Sequence, residues 1–231
     1  MRGATLALPN IPARDNFNRN NSNNLGGNWS QIVFFGAAAT RVNGNQAYAQ
    51  LPGTPMWNGS GSTGGSTQGA SITFANAPVN GVLIDTGVIL KGNGGSNANP
   101  ANYIRVVYES GQVHVRITSG LATTTIGDLP ATFAQGDRLS AVVNGLGVVH
   151  VWKTSGATTT YLGNVALPTT GANSFVTGGG RYGMLVPTGA RVDDFSGGTV
   201  TLGAGGPGGY SPNLYEVGPN LTPALNRFNN I

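Results

Sequence analysis

"NYIRVVYESGQVHVRITSG", residues 102–120, holds the plainest period in the chain. Ile104, Val106 and Tyr108 alternate with Arg105, Val107 and Glu109; Val113, Val115 and Ile117 then alternate with His114 and Arg116. A period of two is the signature of a half-buried strand. Between the two runs lies Ser110-Gly111, a two-residue connection of the kind that closes a β-hairpin. Pairing Glu109 with Gln112 sets Tyr108 against Val113, Val106 against Val115 and Ile104 against Ile117. One face of the hairpin is then wholly apolar, and a slip of one residue would destroy that agreement. The same register puts Arg105 opposite Arg116, and like charges directly opposite destabilise a sheet. A bare solvent face would gain by avoiding such a pair, so this face is marked for a partner or a cover.

Outward from this hairpin the pattern recurs. In "DRLSAVVNGLGVVHVWKTSG" (137–156), Leu139, Ala141 and Val143 read as inward-facing, followed by Val149 and Val151, which leaves His150 and Trp152 on the outer side. "SQIVFFGAAATRV" (30–42), "ASITFANAPVNGVLIDTGVILKG" (70–92) and "RYGMLVPTGARVDDFSGGTVTLG" (181–203) have strand composition. Gly/Ser/Asn-rich loops are expected over 57–70 and 92–102, and no long segment carries a helical period. Short β-prone runs between frequent turns point to an all-β sandwich or barrel.

Composition narrows the function classes. The 231 residues fit one β domain, or at most two small ones. The formal charge of +4 comes with scattered arginines rather than a basic stripe, so nucleic acid is not an expected partner. Cysteine is absent, and stability must rest on packing. No apolar run approaches the length of a membrane span. "MRGATLALPNIPAR" carries a single early Arg and an apolar run broken by Pro9 and Pro12, so no secretory leader is read there. Residues 1–13 read as an extended arm with Leu6, Leu8 and Ile11 between prolines. Residues 203–231 read as a second arm, too Pro-rich to add strands yet carrying Tyr210, Leu214, Tyr215, Leu221, Leu225 and Phe228.

Three stretches together resemble concanavalin A-like, laminin-G-like jelly-roll domains of the kind found in phage virion and bacterial surface proteins. "DNFNRNNSNNLGGNW" (15–29) is similar to their opening, "GDRLSAVVNGLGVVHVW" (136–152) to an internal hairpin, and "GGRYGMLVPTGARVDDFSGG" (179–198) to their closing strand. The resemblance covers about residues 14–198 and implies a two-sheet antiparallel jelly-roll sandwich, taken here as residues 14–202, with first and last strands adjacent. It makes Phe17 and Trp29 core or lid residues where the termini meet.

Chemistry is sparse. The chain has two glutamates, Glu109 and Glu216, and neither sits in the spaced carboxylate pattern of a jelly-roll glucanase. Asp193 and Asp194 are neighbours and should point to opposite faces of a strand, bonding Arg19 or Arg191. There is no nucleophile elbow and no phosphate loop. Asp85, Asp128 and Asp137 stand apart from other acids, so no metal site is read, and no catalytic residue or cofactor is expected. Tyr103, Arg105, His114 and Arg116, joined by His150 and Trp152 of the next hairpin, form a candidate face for a glycan or an acidic protein partner. The expectation is a non-enzymatic virion protein, a capsid decoration or tail component assembled in the host cytoplasm. It should be a homo-oligomer whose arms dock on neighbouring subunits; the alternative is a glycan-binding adhesion module.

Overall fold

The computed structural model describes residues 6–34, 37–81 and 84–203. The strands, in chain order, begin with β1 (Ala13–Asp15), β2 (Trp29–Ser30), β3 (Val33–Phe34), β4 (Ala37–Ala38), β5 (Thr40–Val42) and β6 (Ala47–Ala49). They continue with β7 (Met56–Trp57), β8 (Thr63–Gly64), β9 (Gln68–Phe74), β10 (Thr86–Asn93), β11 (Asn102–Glu109) and β12 (Gln112–Ser119). The rest are β13 (Ala122–Pro130), β14 (Arg138–Val143), β15 (Val148–Ser155), β16 (Thr158–Ala166), β17 (Gly180–Leu185) and β18 (Arg191–Thr199). One 3₁₀ turn, Gly171–Thr177, precedes β17.

Two antiparallel sheets face each other as a jelly-roll sandwich. Sheet A runs β16-β15-β14-β9-β18-β6-β5, with β1 added on β18; sheet B runs β13-β12-β11-β10-β17-β7-β2, with β8 on β17. The hairpin β11–β12 has the register read from its alternation: Ile104 pairs with Ile117, Val106 with Val115, Tyr108 with Val113, and Arg105 with Arg116. Its two turn residues both take left-handed backbone, Ser110 at φ 46° and Gly111 at φ 89°, the twist that suits a two-residue hairpin. Leu139, Ala141, Val143, Val149 and Val151 are fully buried between the sheets, as their alternation requires. The region read as a loop over 57–70 also supplies β8 and the first residues of β9.

The first and last strands meet. β1 pairs with β18, Ala13 against Ser196, and the polar stretch after β1 folds around a buried aromatic cluster. Phe17 stacks on Trp29 at 5.9 Å, and Trp29 meets Phe195 at 4.8 Å and Trp57 at 5.4 Å between ring centroids. Asp15 organises this junction. Its carboxylate accepts from the Phe17 backbone N–H at 2.8 Å, from Trp29 Nε1 at 2.8 Å and from both terminal nitrogens of Arg19 at 2.6 and 3.0 Å. Arg19 also donates to the Leu25 carbonyl. An aromatic residue sits in Asn-rich sequence because the turns wrap it, not because it is exposed.

Candidate functional site

The six residues proposed as one face do not share a face. Tyr103, Arg105, His114 and Arg116 belong to sheet B, whereas His150 and Trp152 lie on β15 of sheet A. The two hairpins are neighbours in sequence but pack in opposite layers, so their outer faces point away from each other. This corrects the sequence expectation.

On sheet B the charges are satisfied internally. Arg116 donates to Asp85 Oδ2 at 2.9 Å and to Glu109 Oε2 at 2.7 Å. His114 bridges Asp128 at 2.5 Å and Glu109 at 3.5 Å. The Arg116 hydrogen bond holds the Glu109 carboxyl below the usual carboxylate range, which does not suit it to proton donation. Arg105 turns away from Arg116, lies over the Tyr103 ring at 5.2 Å and donates to the Tyr103 and Thr118 hydroxyls. Tyr103 itself is buried with Met56, Ile89, Val107 and Leu185. The like-charge pair is thus resolved by two carboxylates and an aromatic ring.

On sheet A, Trp152 is fully buried, under the chain's own N-terminal arm. Leu6, Leu8 and Ile11 pack on Val142, Trp152, Val200, Tyr161 and Leu202, and Trp152 Nε1 donates to the Leu6 carbonyl at 2.8 Å. These arm residues, read as contacts for a neighbouring subunit, close over their own sheet instead. Burial pushes the His150 ring down in pKa, and its Nδ1 meets the Tyr161 hydroxyl at 3.0 Å. Neither His150 nor Trp152 is a platform open to a ligand. Tyr210, Leu214, Tyr215, Leu221, Leu225 and Phe228 lie outside the described residues.

The rest of sheet A's outer face forms an open cleft, and cross-strand register shows why. One row reads Tyr161, Trp152, Ser140, Ser71, Ser196 across β16, β15, β14, β9 and β18. The row on one side carries His150, Val142, Gly69 and Gly198, and the row on the other carries Thr159, Thr154, Arg138 and Thr73. Large residues on β15–β16 face small ones on β9–β18, leaving a trough. The arm seats at its glycine end: a Cβ on Gly69 would stand 3.2 Å from Ile11, and one on Gly198 would stand 3.5 Å from Pro12. Beyond the arm the trough stays open on both sides of Arg138. One cavity, about 270 Å³, is lined by Leu8–Ile11, Ser71, Arg138, Ser140, Thr154 and Thr159; the other, about 550 Å³, by Ala13–Asn16, Arg138 and Asp194–Ser196.

Arg138 is fixed as the wall between them. Its Nε donates to Ser71 Oγ at 2.9 Å, and its Nη2 to Ser71 Oγ and Ser196 Oγ, both at 2.6 Å. Asp194 sits at the rim with left-handed backbone (φ 48°), at a bulge between Asp193 and Ser196. Burial, together with the charges of Asp194 and Asp15, raises the Asp193 carboxyl. Arg19 and Arg191, expected to bond the Asp193-Asp194 pair, go instead to Asp15 and Asn43. Among the described residues no group of three or more His, Asp or Glu side chains is placed to hold a metal.

The cleft escaped the sequence reading although its members were visible. Ser140 and Arg138 alternate with Leu139 and Ala141, so their outward direction is implied. The partners are not, because Ser71 and Ser196 reach Arg138 only through strand neighbours about 60 residues distant in sequence.

No family model matches the chain, and no curated protein matches it. Solved structures that are similar include carbohydrate-binding module CBM66 from Bacillus subtilis, at 13% identity over 76% of this chain and 91% of that one, with a TM-score of 0.44. Xyloglucan PUL GH43B from Bacteroides ovatus is similar at 18% identity over 81% of this chain and 39% of that one, TM-score 0.46. A family 7 alginate lyase, A1-II′, is similar at 14% identity over 71% and 82%, TM-score 0.36.

Proposed function

We propose that this chain is a non-catalytic glycan-binding module whose site is the cleft around Arg138 on sheet A. The observation that carries the reading is the row of Ser140, Ser71 and Ser196 beside Arg138, Thr154 and Thr159, on strands rather than on loops. Sugars are bound through their hydroxyls, and a rigid wall of hydroxyl and guanidinium groups presents both donors and acceptors to them. The carboxylates at Arg116 are ion-paired, which supports binding rather than acid–base chemistry.

Affinity electrophoresis of the full chain through gels holding neutral and acidic polysaccharides tests the reading. Retardation by at least one polymer, without release of reducing ends, is expected. Free migration through every gel would overturn it, and sugar release would replace it with a hydrolase.

A virion structural role is the second reading. It rests on the three stretches that resemble virion jelly rolls and on the apolar residues between Tyr210 and Phe228. The N-terminal arm supports it less, since Ile11 is buried and Leu6 and Leu8 are half-buried against the chain's own sheet. Counting this protein against shell subunits in purified particles by mass spectrometry decides: copies near the shell number are expected for decoration, and absence excludes it.

A further inference from the structure

We propose that the Arg138 cleft selects glycans bearing an anionic group, a carboxylate or a sulfate ester, and holds that group in the smaller cavity beside Ser140. The inference rests on the glycan-binding reading above and deepens it.

Arg138 has no carboxylate partner within ion-pair distance among the described residues, unlike Arg19, Arg116 and Lys153. Three neutral acceptors, Ser71, Ser196 and the Asp194 carbonyl, hold Nε and Nη2. Nη1 has no hydrogen-bond partner among the described residues. A guanidinium carries its charge at any physiological pH, and a partly desolvated one with an unmet donor favours an anionic oxygen over a neutral one. The second observation is independent. Ser140 is buried, and its hydroxyl has no hydrogen-bond partner among the described residues. An unmet buried hydroxyl carries a desolvation cost that a ligand oxygen can remove.

Arg138 and Ser140 line the same cavity. Among the described residues that cavity is lined by no acidic side chain, whereas the larger one on the far side of Arg138 is lined by Asp15 and Asp194. The anion is therefore placed on the Ser140 side. Thr154 and Thr159 hydroxyls, 2.9 Å apart, line the same cavity on β15 and β16, the strands next along from Arg138, where they can take the neighbouring ring hydroxyls. At about 270 Å³ the space equals roughly nine liquid-water volumes. That suits one charged ring more than a length of polymer.

The test is a titration of the full chain at physiological salt, where loose attraction to a basic protein is screened. The probes are polygalacturonate for carboxylate, λ-carrageenan for sulfate and laminarin as neutral polymer. At least tenfold tighter binding to one anionic polymer than to laminarin is expected, and which anion binds identifies the group. Ser140→Ala and Arg138→Lys should each weaken that binding at least tenfold, while Arg105→Ala, on the opposite sheet, leaves it unchanged. Ser140→Ala removes one oxygen and keeps the test intact if Arg138→Lys does not fold. Equal affinity for laminarin and the anionic polymers overturns this inference and leaves glycan binding standing. Anionic binding that survives both variants overturns it as well, since the charge of the whole protein would then explain it. No binding to any polymer overturns the glycan-binding reading and this inference together.

Discussion

Asp15 explains the Asn-rich opening stretch, because one carboxylate satisfies the Phe17 backbone, the Trp29 indole and the Arg19 guanidinium at once. Asp15→Ala leaves the Phe17 backbone N–H and the Trp29 indole N–H without their acceptor and Arg19 with the Leu25 carbonyl alone, and should lower stability by about 2–3 kcal/mol in urea unfolding. Arg116 has the reverse role, as the cation shared by Asp85 and Glu109. In Arg116→Met the Asp85 side chain, only 6% exposed, loses its cation and keeps only the Gly81 N–H, and a loss of about 2 kcal/mol at neutral pH is expected. The pH dependence follows from Glu109. Its carboxyl lies below 4.5 in the folded chain, so its contribution is fully present above 4.5 and lost as pH falls through the folded value. The gap between wild type and Arg116→Met should therefore narrow in acid. Lys91 is the third case, a fully buried ammonium donating to the Ser66 and Gly178 carbonyls. Burial pushes it from 10.5 to about 8. Between these values the unfolded chain holds a proton that the folded chain has released. Stability should thus rise with pH above 8, by up to about 1.4 kcal/mol per unit. The rise should be followed below pH 10, where tyrosines start to ionise, and should vanish in Lys91→Met.

At the scale of elements, hairpins were legible and their assembly was not. Alternation fixed the β11–β12 register to the residue because a one-residue slip would turn every apolar side chain outward. The β14–β15 hairpin was legible for the same reason. Nothing local states which sheet a hairpin joins, and both hairpins have one apolar and one mixed face. Placing Arg105 and Trp152 side by side therefore failed, as did reading the arm as a contact for another subunit. The arm's seat depends on Gly69 and Gly198, which look like ordinary turn glycines in sequence and serve on strands β9 and β18. Gly69→Val would place its Cβ 3.2 Å from Ile11 and 3.1 Å from Val142, displacing the arm. The expected outcome is protease cleavage within residues 6–12 and red-shifted Trp152 emission, with the sandwich still folded by far-UV circular dichroism. An arm that stays protected would contradict the seat described here.

For the whole molecule, the sandwich has two outer faces of different character. Sheet B meets solvent with paired charges, His114 to Asp128 and Arg116 to Asp85 and Glu109, and offers a ligand little that is not already engaged. Sheet A carries the arm over its apolar end and leaves a hydroxyl-lined cleft at the other, with Arg138 held rigid by serines from β9 and β18. A binding site built on strands costs little ordering when a ligand arrives. The central claim is that ligand recognition takes place at Arg138 and not on the β11–β12 face. It is tested most directly by recording the arginine Nε–H and backbone amide resonances of ¹⁵N-labelled protein during titration with trigalacturonate. The account predicts shifts at Arg138, Ser71 and Ser140 while Arg105 and Arg116 stay in place. Shifts confined to the β11–β12 face, or none at saturating ligand, would contradict it.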